Sequence, residues 1–173
     1  MIEDKKLHWY VAYTRVNQEF LIKKKLDELG IENFLPREEQ VRDTPLGRKT
    51  IQVLLIHGMI FIHTDKTTSF SLINEYCLNI VYLKDVEGRH SLIVPDKQME
   101  DFMFLLDFSP DGIEVLNKDL KRGDQVRVIK GPLQGLTGEL VRLRGHKRVV
   151  IRLDGVASIA TSYIPGSFLE KIE

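Results

Sequence analysis

Short apolar runs alternate with charged stretches along the chain, and their period changes from element to element. Trp9-Tyr10-Val11-Ala12-Tyr13 is an aromatic and β-branched run suited to a pleated surface, and it predicts a first strand. From Asn17 to Leu29, Ile22, Leu26 and Leu29 recur at helical spacing, Lys23 to Lys25 interrupt with charge, and Gly30 stands where a helix stops. An amphipathic helix follows from that. Asn33 to Val41 and Lys49 to Ile56 read as extended segments on either side of Thr44-Pro45-Leu46-Gly47, whose proline and glycine suit a tight reversal, so a hairpin is expected. Met59-Ile60-Phe61-Ile62 is a near-continuous apolar run between Gly58 and Asp65, the pattern of a central strand. Ser69 to Glu75 predicts a short helix, and Ile80 to Leu83 and Leu92 to Val94 predict two short strands. Pro95 opens a further helix, in which Met99, Phe102, Met103 and Leu106 share a face and Asp96, Lys97 and Glu100 crowd the first turn.

This order describes an α+β sandwich over residues 1–106, one antiparallel sheet with helices against it. Between Asp107 and Lys118 the periodicity lapses, and Ser109-Pro110-Asp111-Gly112 is turn chemistry, so residues 107–118 read as a linker. Beyond it, Gln125 to Lys130, Gly138 to Leu143, Arg148 to Leu153, Ala157 to Pro165 and Phe168 to Ile172 are short extended segments at turn-punctuated spacing, which predict a small five-stranded β-barrel over residues 119–173.

Composition narrows the function classes. With 173 residues and 43% hydrophobic content, the chain has material for one mid-sized core and a small one. Its 25 Lys and Arg balance 25 Asp and Glu, so any attraction to nucleic acid must be local. Residues 1–106 carry 14 basic against 16 acidic side chains, the linker one against three, and residues 119–173 ten against six. The lone Cys77 excludes an internal disulfide and a cysteine zinc cluster and suits a reducing compartment. Met1 to His8 lacks a leader pattern, and no apolar run approaches the roughly 18 residues of a membrane helix, so a cytoplasmic monomer without membrane contact is expected.

Catalytic and metal chemistry find little support. His57 and His63 share strand parity, but at ~3.3 Å rise per residue they stand about 20 Å apart, too far for one ion. There is no Walker-type phosphate loop and no Gly-x-Ser-x-Gly elbow. Glu38-Glu39 and Asp27-Glu28 read as solvated faces. A binding protein with no cofactor and no metal is expected.

Gly123-Asp124-Gln125-Val126-Arg127-Val128 is an alternating strand leading into a loop that holds Gly131, Pro132 and Gly135, and Gly138 re-enters a strand. The glycines permit positive φ and close backbone approach. The segment Gly123 to Glu139 resembles the KOW motif of the NusG family. The first part of the chain resembles that family's amino-terminal domain in Trp9-Tyr10-Val11-Ala12-Tyr13-Thr14, in Phe34-Leu35-Pro36 before the hairpin, in Gly58-Met59-Ile60-Phe61-Ile62 and in Ile93-Val94-Pro95.

The resemblance implies a transcription elongation or antitermination factor whose first domain docks an apolar patch on the clamp of RNA polymerase. Ile56, Met59 and Phe61 match the apolar strand that supplies that patch, with Tyr13 nearby on the first strand, although His57-Gly58-Met59 replaces the family's usual Pro-Gly-Tyr. Because a sheet has two faces, the sequence leaves open whether Met59 and Phe61 are surface anchors or core. Arg15 and Gln18, at the start of the first helix, match positions where specialised, RfaH-like members touch non-template DNA, and Arg48 and Lys49, beside the hairpin turn, are further candidate phosphate contacts. Lys66-Thr67-Thr68 matches the Thr-rich element with which specialised, RfaH-like members touch the opposite jaw. For the KOW domain the resemblance implies a ribosomal protein, Rho or RNA as partner. Val126, Val128, Val149, Val150 and Ile151 favour strand, so this domain is expected to stay β. Arg142, Arg144, His146, Lys147 and Arg148 cluster around Gly145 in an expected hairpin, either for solubility or for a partner. The alternative is a KOW-containing RNA-binding or ribosome-associated module without polymerase contact, against which the net −2 of the first domain counts.

Overall fold

The computed structural model describes residues 5–108, 114–116 and 123–172. It is a mixed α and β protein built on antiparallel sheets, and its contacts divide it into two compact units, Met1–Pro95 and Asp96–Glu173. No helix among the described residues is long and apolar enough to cross a membrane.

The first unit is organised by β1 (His8–Thr14), the aromatic run at the start of the chain, and β5 (Met59–Thr64). They pair antiparallel from His8 opposite Thr64 to Tyr13 opposite Met59. β2 (Glu32–Phe34) extends the sheet beyond β5, while β6 (Ile80–Tyr82) and β7 (Ile93–Val94) share the far side of β1. One face, with Tyr10, Ala12, Ile60 and Ile62, packs on Ile22 and Leu26 of α1 (Glu19–Glu28) and Leu72 of α2 (Lys66–Asn74). Helix α1 buries Ile22 and Leu26 of the predicted stripe, whereas Leu29 is its exposed C-cap, and the chain turns away at Gly30, whose φ of +69° is open to glycine without strain.

The hairpin differs in detail from its expectation. Pro36 carries no backbone N–H, so the first extended segment splits into β2 and β3 (Arg37–Thr44), and only β3 pairs with β4 (Gly47–Leu54). Thr44 faces Gly47 across the turn and donates its hydroxyl to the Gly47 carbonyl at 2.7 Å. Residues 55–58 form a turn, so His57 leaves the strand and shares no face with His63. His63 stacks on Trp9 with ring centroids 4.6 Å apart and bonds Glu32 at 2.6 Å. No cluster among the described residues fits a metal ion.

In the second unit, α3 (Asp96–Phe108) groups with a six-stranded sheet, where the sequence had placed it in the first domain. Its Asp101 accepts a hydrogen bond from the Thr137 hydroxyl at 2.6 Å and pairs with Lys97 at 2.7 Å. Its buried face is Met99, Phe102 and Leu105, so Leu105 takes the inward position expected of Leu106. The sheet runs in the order β13 (Leu169–Lys171), β9 (Asp124–Val128), β10 (Thr137–Leu143), β11 (His146–Leu153), β12 (Ala157–Ala160), β8 (Glu114–Leu116). Two of these strands depart from the expectation. β8 arises inside the stretch read as linker, whose Ser109 to Gly112 lies outside the described residues. β12 stops at Ala160 because the hydroxyl of Thr161 accepts the Val149 N–H, after which Pro165 opens a single 3₁₀ turn, Gly166–Phe168.

The glycines of the 123–138 segment divide by physical role. Gly131 and Gly135 sit at φ +89° and +95° and bend the loop so that the Gly135 N–H reaches the Val128 carbonyl at 2.8 Å. Gly138 instead makes room: a Cβ there would lie 2.6 Å from the Val150 carbonyl oxygen and 2.8 Å from a Val149 methyl. Gly138→Ala is therefore expected to destabilise the protein by about 2 kcal/mol or more, as overpacking against fixed backbone does. Urea unfolding monitored by circular dichroism measures this, with Gly166→Ala, where nothing lies within 4 Å and φ is not left-handed, as the control.

Candidate interaction surfaces

The residues singled out from the sequence fall into four places. Met59 and Phe61 are core, 6% and 0% exposed, because β5 has a neighbour on each side and cover on each face. Phe61 lies beside Phe34, with ring centroids 6.3 Å apart. Tyr13 is different. It stands opposite both Met59 and Val81 and is 50% exposed, and Val81 is 65% exposed. Registered partners share a sheet face, so Val81, Tyr13 and Met59 stand in one row across it, with Tyr13 and Val81 an accessible apolar pair and Met59 buried beside Tyr13. Val81 was missed in the sequence, where it sits between two inward residues, Ile80 and Tyr82; its alternation with them was the available signal.

Beside this pair lies the turn that contains half-buried Ile56. Gly58 has a φ of +70°, its carbonyl accepts the Thr14 N–H at 2.9 Å, and its own N–H donates to Glu19 Oε1 at 2.8 Å. Glu19 is 1% exposed and its Oε2 has no partner among the described residues. A carboxylate at the first turn of α1 thus fixes the turn that leads into β5, and it also lies where helix N-termini favour negative charge. The sequence reading overlooked Glu19 because a glutamate on an amphipathic helix usually faces water. Arg15 is exposed and Gln18 half-buried at the mouth of the same helix.

The hairpin presents Arg48 and Lys49 near its tip, both exposed. Arg48 lies 3.3 Å from Asp43 with both side chains more than four-fifths exposed, a pair worth little. Lys49 stands directly opposite Arg42, so the distal hairpin concentrates positive charge, and Leu46 at the turn is wholly exposed.

Lys66, Thr67 and Thr68 form the first turn of α2, which begins earlier than predicted because Asp65 caps it. Asp65 accepts the Thr68 N–H at 2.9 Å and the Thr68 hydroxyl at 2.7 Å, so Thr68 is committed to the helix while Lys66 and Thr67 remain exposed. Those bonds, the backbone one first, hold the Asp65 carboxyl below its usual 3.8.

On the six-stranded sheet, Val126 and Val128 point into the core, Leu133 and Leu136 are buried under the glycine loop, and Asp124 pairs with Lys171 at 3.4 Å on the surface. Lys130, Pro132, Tyr163, Ile164 and Phe168 line a shallow groove of about 120 Å³. Arg144 and Gly145, both at positive φ, form the predicted hairpin turn between β10 and β11.

The family model described as "Transcription termination factor nusG" matches residues 7–103, more than half of the chain. Among solved structures, one described as domain interaction in Thermotoga maritima NusG superposes with a TM-score of 0.47 at 18% identity, covering 97% of this chain and 98% of that one. The Mj Spt4:Spt5 complex in conformation B superposes with a TM-score of 0.30 at 11% identity, covering 95% and 97%. No curated protein matches.

Two substitutions probe this geometry. Glu19→Ala strands the partly buried Gly58 N–H and is expected to cost about 1 kcal/mol, while Glu19→Gln keeps an acceptor and costs less; chemical denaturation separates them. Asp65→Ala is expected to cost about 1 kcal/mol at neutral pH. Because the folded carboxyl titrates below its unfolded value, the capping stability is present above pH 3.8 and is lost as pH falls through the depressed folded value. The wild-type and Asp65→Ala unfolding midpoints should therefore converge in acid.

Proposed function

Because the chain belongs to the NusG family, we propose that it is a non-enzymatic transcription elongation and antitermination factor. In this reading its first domain, residues 1–106, binds the clamp of RNA polymerase, and a KOW domain, residues 119–173, recruits a further partner across the 107–118 linker. The family match runs to residue 103 and so includes most of α3, which supports a first domain that extends beyond the contact boundary at Pro95.

The observation that carries the proposal is the accessible pair Tyr13 and Val81, which lies on the face of the sheet with Met59 and inside the matched segment. A few apolar and aromatic anchors supply most of the energy of an interface, and Tyr13 offers a rigid one with a polar tip. Met59 and Phe61 are buried on the same sheet face beside this pair, and Ile56 flanks it on the turn fixed by Glu19. Lys66 and Thr67, left free by the cap on Thr68, face the opposite jaw of the polymerase. Arg15 and Gln18 at the mouth of α1, and Arg48 and Lys49 on the hairpin, contact phosphates of the exposed non-template strand, orienting the protein on DNA.

In the second domain the KOW reading draws on the paired roles of its glycines, with Gly131 and Gly135 shaping the loop and Gly123 and Gly138 passing under neighbouring backbone. The groove beside Tyr163, Ile164 and Phe168 would receive a ribosomal protein or Rho. An RNA-binding module without polymerase contact is disfavoured by the net −2 of residues 1–106, since phosphate binding grows with the charges neutralised.

Pull-down and anisotropy with core RNA polymerase test the proposal. The full chain binds, and Tyr13→Ala with Val81→Asp weakens binding at least about tenfold while leaving the unfolding midpoint unchanged. Absence of binding by the intact chain contradicts it.

A further inference from the structure

Strand β8 occupies the outer edge of the six-stranded sheet, with Glu114, Val115 and Leu116 opposite Ala160, Ile159 and Ser158 of β12. Without it, β12 would present a row of unpaired backbone donors and acceptors, the template on which extended segments add. The side chains at this edge define what adds. Arg144 Nη2 donates to Glu114 Oε1 at 3.1 Å and Arg148 Nη1 to Glu114 Oε2 at 2.7 Å, a two-arginine grip on one carboxylate. The Arg148 side chain is 17% exposed and that of Glu114 33%, so the pair is partly withdrawn from water, where charge-assisted bonds gain strength. Val115 is half-buried opposite fully buried Ile159, which makes the middle position apolar.

The grip has capacity left over. Arg148 Nε is buried with no hydrogen-bond partner among the described residues. Exposed Lys147 and His146 border the same turn, and residues 119–173 as a whole carry ten basic against six acidic side chains. The described part of the resident strand is three residues, Glu114–Leu116. A longer acidic strand would satisfy the spare donor and extend the ladder.

We propose that the β12 edge, with Arg144 and Arg148, is a strand-addition site for an acidic extended segment of a partner protein, and that β8 is the chain's own occupant of it. The recognised pattern is an acid, then a β-branched apolar residue, then a second apolar residue, with a further acid within reach of Arg148 Nε. This goes beyond polymerase binding and stands without it. The cis occupant competes at the high effective concentration that a short tether confers, so an outside strand gains access when β8 is weakened.

The probe is a fluorescein-labelled peptide of residues 107–118, titrated by anisotropy into the full chain. Glu114→Ala in the chain is expected to raise peptide affinity about tenfold, because it removes the competitor's charged contact. Val115→Pro, which blocks the resident strand by a different route, should do the same. Reversing Arg148 to Glu in the Glu114→Ala chain should abolish binding of this peptide and restore binding to one carrying Lys at the Glu114 position. Hydrogen exchange should slow at residues 157–160 on peptide addition. Equal affinity for all chains, indifference to the Arg148 reversal, or dimerisation of the Glu114→Ala chain without peptide overturns the proposal.

Discussion

β1 and β5 run antiparallel through the middle of the first sheet, with Trp9 to Ala12 and Met59 to Ile62 all buried, and the rest of the first unit answers to that pairing. A strand pair covered on both faces cannot itself offer a surface; it can only hold one. What it holds lies at its ends. At one end Tyr13 and Val81 emerge from the register where Met59 begins, and the Gly58 turn, clamped between the Thr14 N–H and the Glu19 carboxylate, sets where β5 starts. At the other end Asp65 stops the strand and starts α2 within a single residue of Thr64. The candidate contacts are thus rigidly placed by core geometry, as the proposed docking role requires.

The second unit obeys a different constraint, the close approach of backbones at Gly123 and Gly138. Those contacts let β9, β10 and β11 curve tightly enough to enclose Val126, Val128, Leu136 and Val149 in a small core. A sheet this small has edges that need management. β8 covers one of them through Glu114, Val115 and Leu116, and the strand-addition proposal rests on that arrangement.

Much of this was legible in the residues. The aromatic run of β1, the helical spacing of Ile22 and Leu26, the apolar run of β5 and the glycine spacing after Val128 each reflect one dominant physical demand, and each element is where it was expected. The misses have local causes. Pro36 breaks a long strand by lacking a donor, Thr161 ends β12 by lending its hydroxyl to the ladder, and Asp65 draws α2 forward through a cap. Glu114 and Val115 gave no periodic signal in a three-residue strand, so β8 was read as linker. Whether Met59 and Phe61 faced water was a question of what covers each sheet face, which the pattern of one strand cannot answer. Val81 and Glu19 escaped for the same reason: their roles are set by partners, Tyr13 and Gly58, that lie far away in sequence.

The central claim is that this protein acts on transcribing RNA polymerase through its first unit. The most direct measurement is single-round transcription in vitro across a template with a strong pause site, following the half-life of the paused transcript with and without the full chain. The account predicts a shortened pause and more full-length RNA with the wild-type protein, and loss of that effect when Tyr13 and Val81 are substituted in a chain that remains folded. An unchanged pause half-life at saturating protein, or an effect indifferent to those two residues, would contradict it.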